Sequence, residues 1–359
     1  MKNVAIIMAG GRGERFWPLS TKNYPKQFLK LTNSSLTMIQ LTVERIKSIV
    51  DYDDIFVVTN EAYKDAIDEQ LSMIKKENII YEPISKNTAP CLGLATAIIK
   101  KKYGDANVII LSSDHLISNN ILFLSNIEIA LKYSEQNHII TLGIVPNRIE
   151  TGYGYIRLGK RVEGFDSIYK ITSFVEKPSF EKAKEYYESK EYLWNSGMFV
   201  WKNSYIYELF KEYMSDLFNS ITKIEEVIGT PDYAKVLNEE YQKVESQSID
   251  YGIMEKAKDI LVIPGNFGWD DVGSFLSVER IKDLDENNNI LDGNIVNLDC
   301  NNCTIFNNVE NNLIATYGLE GLVVVNTNKS LLIISKDKVP DVKKLIEKIK
   351  QSGKYNDYL

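Results

Sequence analysis

The chain is short of several things, and each shortage removes a class of protein. Only three cysteines, Cys91, Cys300 and Cys303, occur in 359 residues; the odd count and wide spacing exclude a disulfide framework. Cys300 and Cys303 have the C-x-x-C spacing of half a zinc site or a redox pair. No second pair exists, and His115 and His138 stand far away in sequence, so two small residues in a strand-rich tail is the plainer reading. No apolar run reaches the roughly 18 residues of a membrane span. Positive charge is not in excess either: 42 Lys and Arg against 49 Asp and Glu leave a net charge of −7, which excludes a broad nucleic-acid footprint. An anionic ligand must therefore meet a local cluster of bases. The first residues lack the charged n-region and small-residue cleavage site of a secretory signal, so a reduced, cytoplasmic setting is expected.

What is present begins with the first thirty residues. The apolar run Val4-Ala5-Ile6-Ile7-Met8-Ala9 gives way to Gly10-Gly11-Arg12-Gly13-Glu14-Arg15, then to Phe16-Trp17-Pro18-Leu19-Ser20 and Pro25-Lys26-Gln27-Phe28. A buried strand thus enters a turn built from Gly and Arg. Missing Cβ atoms at Gly10, Gly11 and Gly13 let consecutive N–H groups approach phosphate oxygens or a base edge. Arg15 suits bidentate phosphate contacts and Lys26 a point charge. Neither common nucleotide loop is complete: Phe16 stands where a dinucleotide fingerprint needs its third glycine, and no Lys-Ser or Lys-Thr completes a P-loop.

These residues resemble the signature of the sugar-nucleotide pyrophosphorylases, Gly-Gly-x-Gly-x-Arg-x-x-Pro-Leu-Ser followed by Pro-Lys. The Pro25-Lys26-Gln27-Phe28 form is similar to that of the mannose-1-phosphate guanylyltransferase branch. Further motifs agree. Glu82-Pro83 with Asn87-Thr88-Ala89-Pro90 matches a family segment that the resemblance places at the guanine pocket; read alone, Asn87 or Thr88 as the cap of the next helix is the plainer reading. Gly152-Tyr153-Gly154-Tyr155-Ile156, Phe174-x-Glu176-Lys177-Pro178 and Trp194-Asn195-Ser196-Gly197-Met198-Phe199 follow in the family's order.

Up to about residue 145, apolar runs at 4–9, 55–58, 79–81, 108–111 and 139–142 alternate with helical periods at 37–49, 63–76, 89–102 and 123–135, which predicts an α/β domain with a mostly parallel sheet. Residues 202–258 read as charged helices with a mostly solvated face. Beyond Asp285, Asn-rich turns separate short β-branched runs at 295–296, 304–306, 322–325 and 331–334, which indicates a small all-β appendage. The resemblance implies a left-handed β-helix there. A helix over 339–350 closes the chain, its stripe of Val342, Leu345, Ile346 and Ile349 docking on the body or on a second subunit. The expected fold is α/β: a Rossmann-like nucleotidyltransferase domain over 1–284 with a mostly parallel mixed sheet, and a small C-terminal left-handed β-helix-like domain over 285–359.

Asp114, at the end of a strand, either caps a turn or pairs with an acid far along the chain, where Asp270 and Asp271 sit in a Gly-bounded turn. A hard divalent cation takes one or two carboxylates and leaves the rest of its shell to phosphate and water. The resemblance aligns the Mg²⁺ (or Mn²⁺) ligands with Asp114 and Asp271, Asp270 being the alternative to Asp271. It assigns Arg15, Lys26, Asp114 and Asp271 to catalysis and Ala9, Gly10, Gly11, Gly13, Glu82, Asn87 and Thr88 to the nucleotide. Gly154, Glu176, Lys177, Asn195 and Asp250 fall to the sugar phosphate, with Asp250 as helix cap the competing reading. The implied partners are GTP and mannose 1-phosphate, no nucleic acid, no membrane, and further copies of the chain in a homodimer or higher homo-oligomer. Alternatives are a guanylyltransferase for another sugar 1-phosphate, or an idle sensing subunit. A bifunctional enzyme with isomerase activity is disfavoured by length.

Overall fold

The opening apolar run becomes the strand around which the sheet is built, and its residues alternate between two cores. Ala5, Ile7 and Ala9 face one cluster, Val4 and Ile6 the other, all at 0 % exposure. Such a strand has no polar side because both sheet faces are covered by helices. The computed structural model describes residues 1–164, 167–258 and 260–359.

In chain order, β1 (Asn3–Ala9), α1 (Met38–Ile46), β2 (Ile55–Asn60), α2 (Lys64–Gln70), β3 (Ile79–Glu82), α3 (Thr88–Tyr103), β4 (Asn107–Ser112), β5 (Leu116–Ile117), α4 (Asn120–Ser134) and β6 (Ile139–Ile144) form the first half. There follow β7 (Tyr155–Arg161), β8 (Tyr169–Val175), α5 (Phe180–Ser189), β9 (Tyr192–Lys202), α6 (Asn203–Tyr213), α7 (Ser215–Val227), α8 (Tyr233–Lys243), β10 (Ile260–Gly265), β11 (Trp269–Asp270) and α9 (Phe275–Val278). The main sheet has the order β3-β2-β1-β4-β9-β6-β10-β8-β7. Strands β3, β2, β1 and β4 are parallel, as are β6 and β10. The antiparallel pairs are all made by β7, β8 and β9, so the sheet is mixed because of the inserted segment.

Strand order reverses at β1, with β2 on one side and β4 on the other, and ligands of open α/β sheets bind at such a switch point beyond the carboxyl ends. The loop leaving Ala9 and the turn leaving Ser112 therefore emerge side by side, joined where Ser113 N–H donates to Met8 O at 3.1 Å.

Two helical expectations need correction. The helix expected over 63–76 stops at Gln70. That side chain turns inward, accepting from Thr37 Oγ1 at 2.7 Å and donating to Tyr24 Oη at 2.7 Å, so a buried polar residue ends the period. The segment expected to be mostly solvated instead buries Ile206, Phe210, Ile221, Leu237 and Tyr241 in the core cluster that α3 also lines. Contact is close because α3 carries Gly93, where a Cβ would lie 2.3 Å from Ile221 Cδ1.

After α9, the strands β12 (Ile290–Asp292), β13 (Ile295–Leu298), β14 (Thr304–Asn307), β15 (Ile314–Tyr317) and β16 (Leu322–Asn326) stack in parallel as β12-β14-β16 and β13-β15, with β17 (Leu331–Ser335) antiparallel at one edge. This is a β-helix-like unit. Its asparagines satisfy the turns: Asn307 Nδ2 donates to the carbonyls of Asn294 and Asn312 at 2.9 and 2.7 Å, and Asn326 Nδ2 to Asn307 Oδ1 at 3.0 Å. Cys300 and Cys303 are buried within it. The closing helix, α10 (Val342–Ser352), docks on the body of its own chain. Val342 and Ile346 pack with Phe16 and Trp17, while Leu345 faces outward.

Candidate active site

The glycine loop after β1 is held from below. Gln27, buried, donates from Nε2 to Ala9 O at 2.9 Å and Gly11 O at 3.2 Å, and Ser20 Oγ donates to Gly13 O at 2.6 Å. With its carbonyls drawn inward, the loop leaves the N–H groups of Gly11, Arg12 and Gly13 without an acceptor among the described residues. That is the geometry of an anion cradle. Gly13 has φ +59, and a Cβ there would lie 2.5 Å from Lys26 N; only glycine fits.

Two cavities meet at this loop and share Arg12 and Glu14. One, of about 380 Å³, is lined by Gly13, Arg15, Lys26, Asp114 and Asp271. The other, of about 620 Å³, opens towards Pro83, Ile84 and Ser85, a size that takes a small organic ligand.

Lys26 is the hinge of the smaller cavity. Its ammonium lies 2.9 Å from Asp114 Oδ2 and donates to Asp271 O at 2.5 Å, joining residues 245 positions apart in the chain. Burial alone would raise the Asp114 carboxyl; Lys26, His115 and the Ser112 hydroxyl outweigh it and hold it at about 2. Asp114 is therefore ionised at neutral pH; its carboxylate accepts from the Ser112 hydroxyl at 2.6 Å and pairs with Lys26, and among the described residues no backbone N–H donates to it as in a turn cap. Burial lowers His115, whose Nδ1 accepts from Trp269 Nε1 at 3.2 Å.

Asp270 and Asp271, adjacent in sequence, have opposite surroundings. Asp270 is buried and takes Arg280 through both oxygens, at 2.7 and 2.9 Å, plus the N–H of Val272 at 2.8 Å. Asp271 lines the cavity, receives the hydroxyl of Tyr153 on Oδ1, and has its Oδ2 beside Gly273, where a Cβ would come within 2.9 Å. Tyr153 itself is wedged edge-on between Trp194 and Trp269, both at 5.2 Å, with Arg148 Nη2 donating to its oxygen at 3.1 Å.

Gly154, Glu176, Asn195 and Asp250 converge on a second centre, which Tyr153 links to the first. Asn195 N–H donates to Gly154 O at 2.8 Å, and its Nδ2 to Asp250 Oδ1 at 2.9 Å. A Cβ on Gly154 would lie 2.4 Å from Glu176 Oε2. Lys177 projects outward in a left-handed conformation, φ +46, with its ammonium 3.4 Å from Glu176. Burial and the neighbouring Glu176 push the Asp250 carboxyl up to about 6, against the hydrogen bond from Asn195.

The sign of this linkage is fixed. A folded value above the unfolded one means that Asp250 contributes stability fully below about pH 4, and that this is lost as pH rises through 6. Asp250→Asn is thus expected to stabilise the protein by roughly 1–2 kcal/mol at pH 8 and by about half of that at pH 5. Urea unfolding at both pH values checks it, and an equal gain at both would sink the explanation.

The remaining nucleotide-assigned residues lie apart from the cavity walls. Glu82 is buried beneath Gly10, with Oε2 3.2 Å from where a Gly10 Cβ would sit and Oε1 accepting from the Tyr241 hydroxyl. Burial raises its carboxyl to about 7, the Tyr241 hydrogen bond opposing. Asn87 caps α3, accepting from Thr88 N–H at 2.8 Å, and the Thr88 hydroxyl accepts from Ile249 N–H at 2.9 Å. Gln27, Tyr153, Ser112 and Tyr241 are members of the site that sequence reasoning missed. Gln27 stands inside a quoted motif and Tyr153 inside another, but nothing local tells that either side chain is buried against a functional group.

The sequence profile of the nucleotidyl transferase family matches residues 4–288, and that of a MannoseP isomerase/GMP-like beta-helix domain matches 293–349. The mannose-1-phosphate guanylyltransferase of Salmonella montevideo is 39% identical over 358 residues, covering 98% of this chain and 74% of its own length. The enzyme of the same name from Escherichia coli (strain K12) is 37% identical with the same coverage. A crystal structure from Thermus thermophilus, described as a mannose-1-phosphate geranyltransferase, matches with a TM-score of 0.86 and 32% identity over 98% of this chain and 100% of that one. A glycine loop whose amides meet no acceptor among the described residues, a lysine joining the Asp114 carboxylate to the Asp271 main chain, and similarity along nearly the whole length agree: the chain belongs to the nucleotidyl transferase family, beside the mannose-1-phosphate guanylyltransferases.

Proposed function

We propose that the protein makes GDP-mannose and pyrophosphate from GTP and mannose 1-phosphate. The observation that carries this reading is Lys26, which ties the Asp114 carboxylate to the main chain of Asp271 beneath a loop whose amides have no acceptor among the described residues. Bringing one phosphate to attack another crowds negative charge, so neutralisation and in-line positioning are the main tasks. The Gly11–Gly13 amides, Arg15 and Lys26 hold the triphosphate. Glu176, Asn195 and Asp250 offer paired acceptors and a donor to sugar hydroxyls. Lys177, exposed beside Glu176, steers the sugar phosphate, which is already anionic and needs no general base.

Asp114 and Asp271 suit a hard divalent cation. They are oxygen donors in one cavity, and among the described residues no group of three His, Cys, Asp or Glu converges. Most of such an ion's shell is then left to phosphate and water. Mg²⁺ or Mn²⁺ held there would supply charge neutralisation at the α-phosphate and the sugar phosphate. Asp271 fits this role better than Asp270, whose oxygens are taken by Arg280. A homodimer or larger homo-oligomer belongs to the same proposal, supported by the outward apolar face of β13 and β15, where Val296, Leu298 and Tyr317 are exposed. A cytoplasmic setting is supported by three buried, unpaired thiols.

The test is pyrophosphate release with GTP, mannose 1-phosphate and Mg²⁺, compared with ATP, UTP and dTTP and with glucose, fucose and heptose 1-phosphates. Turnover is expected to be highest for the GTP and mannose 1-phosphate pair. A faster rate with another sugar would reassign the substrate, and no turnover with any pair would mark an idle subunit, a reading that the intact set Arg15, Lys26, Asp114 and Asp271 disfavours.

A further inference from the structure

The β-helix-like unit does more than cap the chain. Its closing helix α10 packs Val342 and Ile346 into the cluster that contains Phe16 and Trp17, directly after the glycine loop. Lys350 is 3.6 Å from Glu14, and Trp17 Nε1 donates to Tyr358 O at 2.8 Å. Lys343, Ile346 and Lys350 are spaced i, i+3, i+7, so they share one face of the helix, and that face meets the loop. Ile346 and Lys350 line the larger cavity, while Lys343 lines the smaller one with Arg12, Arg15 and Lys26. Lys350 is spent on Glu14. Lys343 makes no ion pair or hydrogen bond among the described residues, although its neighbour Lys344 pairs with Asp341 at 2.9 Å. Lys343 lies in the first turn of α10 and is exposed to solvent, and docking of the helix sets it in the wall of the open cavity that Arg12, Arg15 and Lys26 also line.

We propose that Lys343 is a phosphate-binding residue of the nucleotide site, supplied by the C-terminal unit, and that it contacts the terminal phosphates of the nucleoside triphosphate. The inference rests on the GTP-dependent reading above. Lys26 is partly neutralised by Asp114, so the smaller cavity gains a full unpaired charge from Lys343 where a polyphosphate carries most of its own. Because the sugar centre of Glu176, Asn195 and Asp250 lies beyond Tyr153, Lys343 acts on the nucleotide and not on the sugar.

Steady-state kinetics on the full chain test this with Lys343→Ala, Lys343→Arg and, as a control, Lys344→Ala. Loss of one charged phosphate contact corresponds to about a tenfold change. Lys343→Ala is expected to raise the KM for GTP about tenfold, to leave the KM for mannose 1-phosphate within about twofold, and to change kcat little. Lys343→Arg is expected to restore the GTP KM, and Lys344→Ala to match the parent. An unchanged GTP KM in Lys343→Ala, or a sugar KM that moves as much as the GTP KM, overturns the assignment. If the parent protein shows no turnover, the functional reading fails by itself. Calorimetric binding of GTP to parent and Lys343→Ala then decides the contact: a tenfold weaker affinity supports it and equal affinity overturns it.

Discussion

Asp271→Asn is expected to lower kcat/KM by about a thousandfold while leaving urea stability within about 0.5 kcal/mol of the parent. Its neighbour is expected to behave the other way. Asp270→Asn breaks a two-pronged bond to Arg280. Breaking a fully buried pair costs about 3–5 kcal/mol, and the half-exposed Arg280 reduces this to about 2 kcal/mol. Activity at Asp270→Asn is expected to fall only through the fraction unfolded and the shift of the turn. Asp271→Asn keeps an oxygen for the Tyr153 hydroxyl, so the turn survives, but loses the negative charge that faces the cavity. Mn²⁺ affinity separates the two without relying on turnover. It is expected to weaken by tenfold or more in Asp271→Asn and to change little in Asp270→Asn. The reverse pattern, with both variants folded, would exchange the roles of the two acids.

Gly13→Ala is expected to cost about 2–4 kcal/mol of stability and at least about a hundredfold in kcat/KM. Two costs add at this position: a left-handed backbone at φ +59, and a methyl group that would sit 2.5 Å from Lys26 N and 2.7 Å from Lys26 Cβ. Neither neighbour is the free end of a flexible side chain, so the backbone of residues 25–27 must move. Lys26 then loses its place between Asp114 and Asp271. Gly11→Ala provides the contrast, because nothing lies within 4 Å of a Cβ there and the backbone is not left-handed. Its thermal unfolding is expected to match the parent, while the KM for GTP rises about tenfold or more as the methyl crowds the path of a phosphate to the amides. A Gly13→Ala protein as stable and active as the parent would show that the close packing of the loop on Lys26 is not needed. A Gly11→Ala protein with an unaltered KM for GTP would remove the loop amides from nucleotide binding.

Much of the architecture could be read along the chain because its signals are local. The strand at β1, the helix at α3 with a cap at Asn87 or Thr88, and the short β-branched runs after Asp285 announce themselves within a few residues, through periodicity and turn chemistry. Where a local pattern met tertiary packing, packing won. Gln70 ends α2 because its amide is needed inside the fold. The charged helices α6 to α8 bury one face in a shared core, α7 lying close on α3 at Gly93. Charge counts could not show this, since an amphipathic helix carries its charges on the face it does not bury.

The chemistry divides in the same way. By itself the amino-acid sequence determined which residue types are available for phosphate, cation and sugar, since glycines, an arginine and a lysine in that order have few other uses. It also determined that these elements build an α/β sheet with a small all-β tail, while the β-helix character of that tail came from the family resemblance. Only the tertiary structure decided which of two adjacent aspartates faces the cavity, because Arg280, ten residues on, takes one of them. Only it placed Tyr153 on Asp271, Gln27 under the glycine loop and Lys343 in the wall of the cavity that Arg15 lines. The physical reason is range: backbone conformation is set by neighbours a few residues away, whereas the direction and charge environment of a side chain are set by whichever distant segment packs against it.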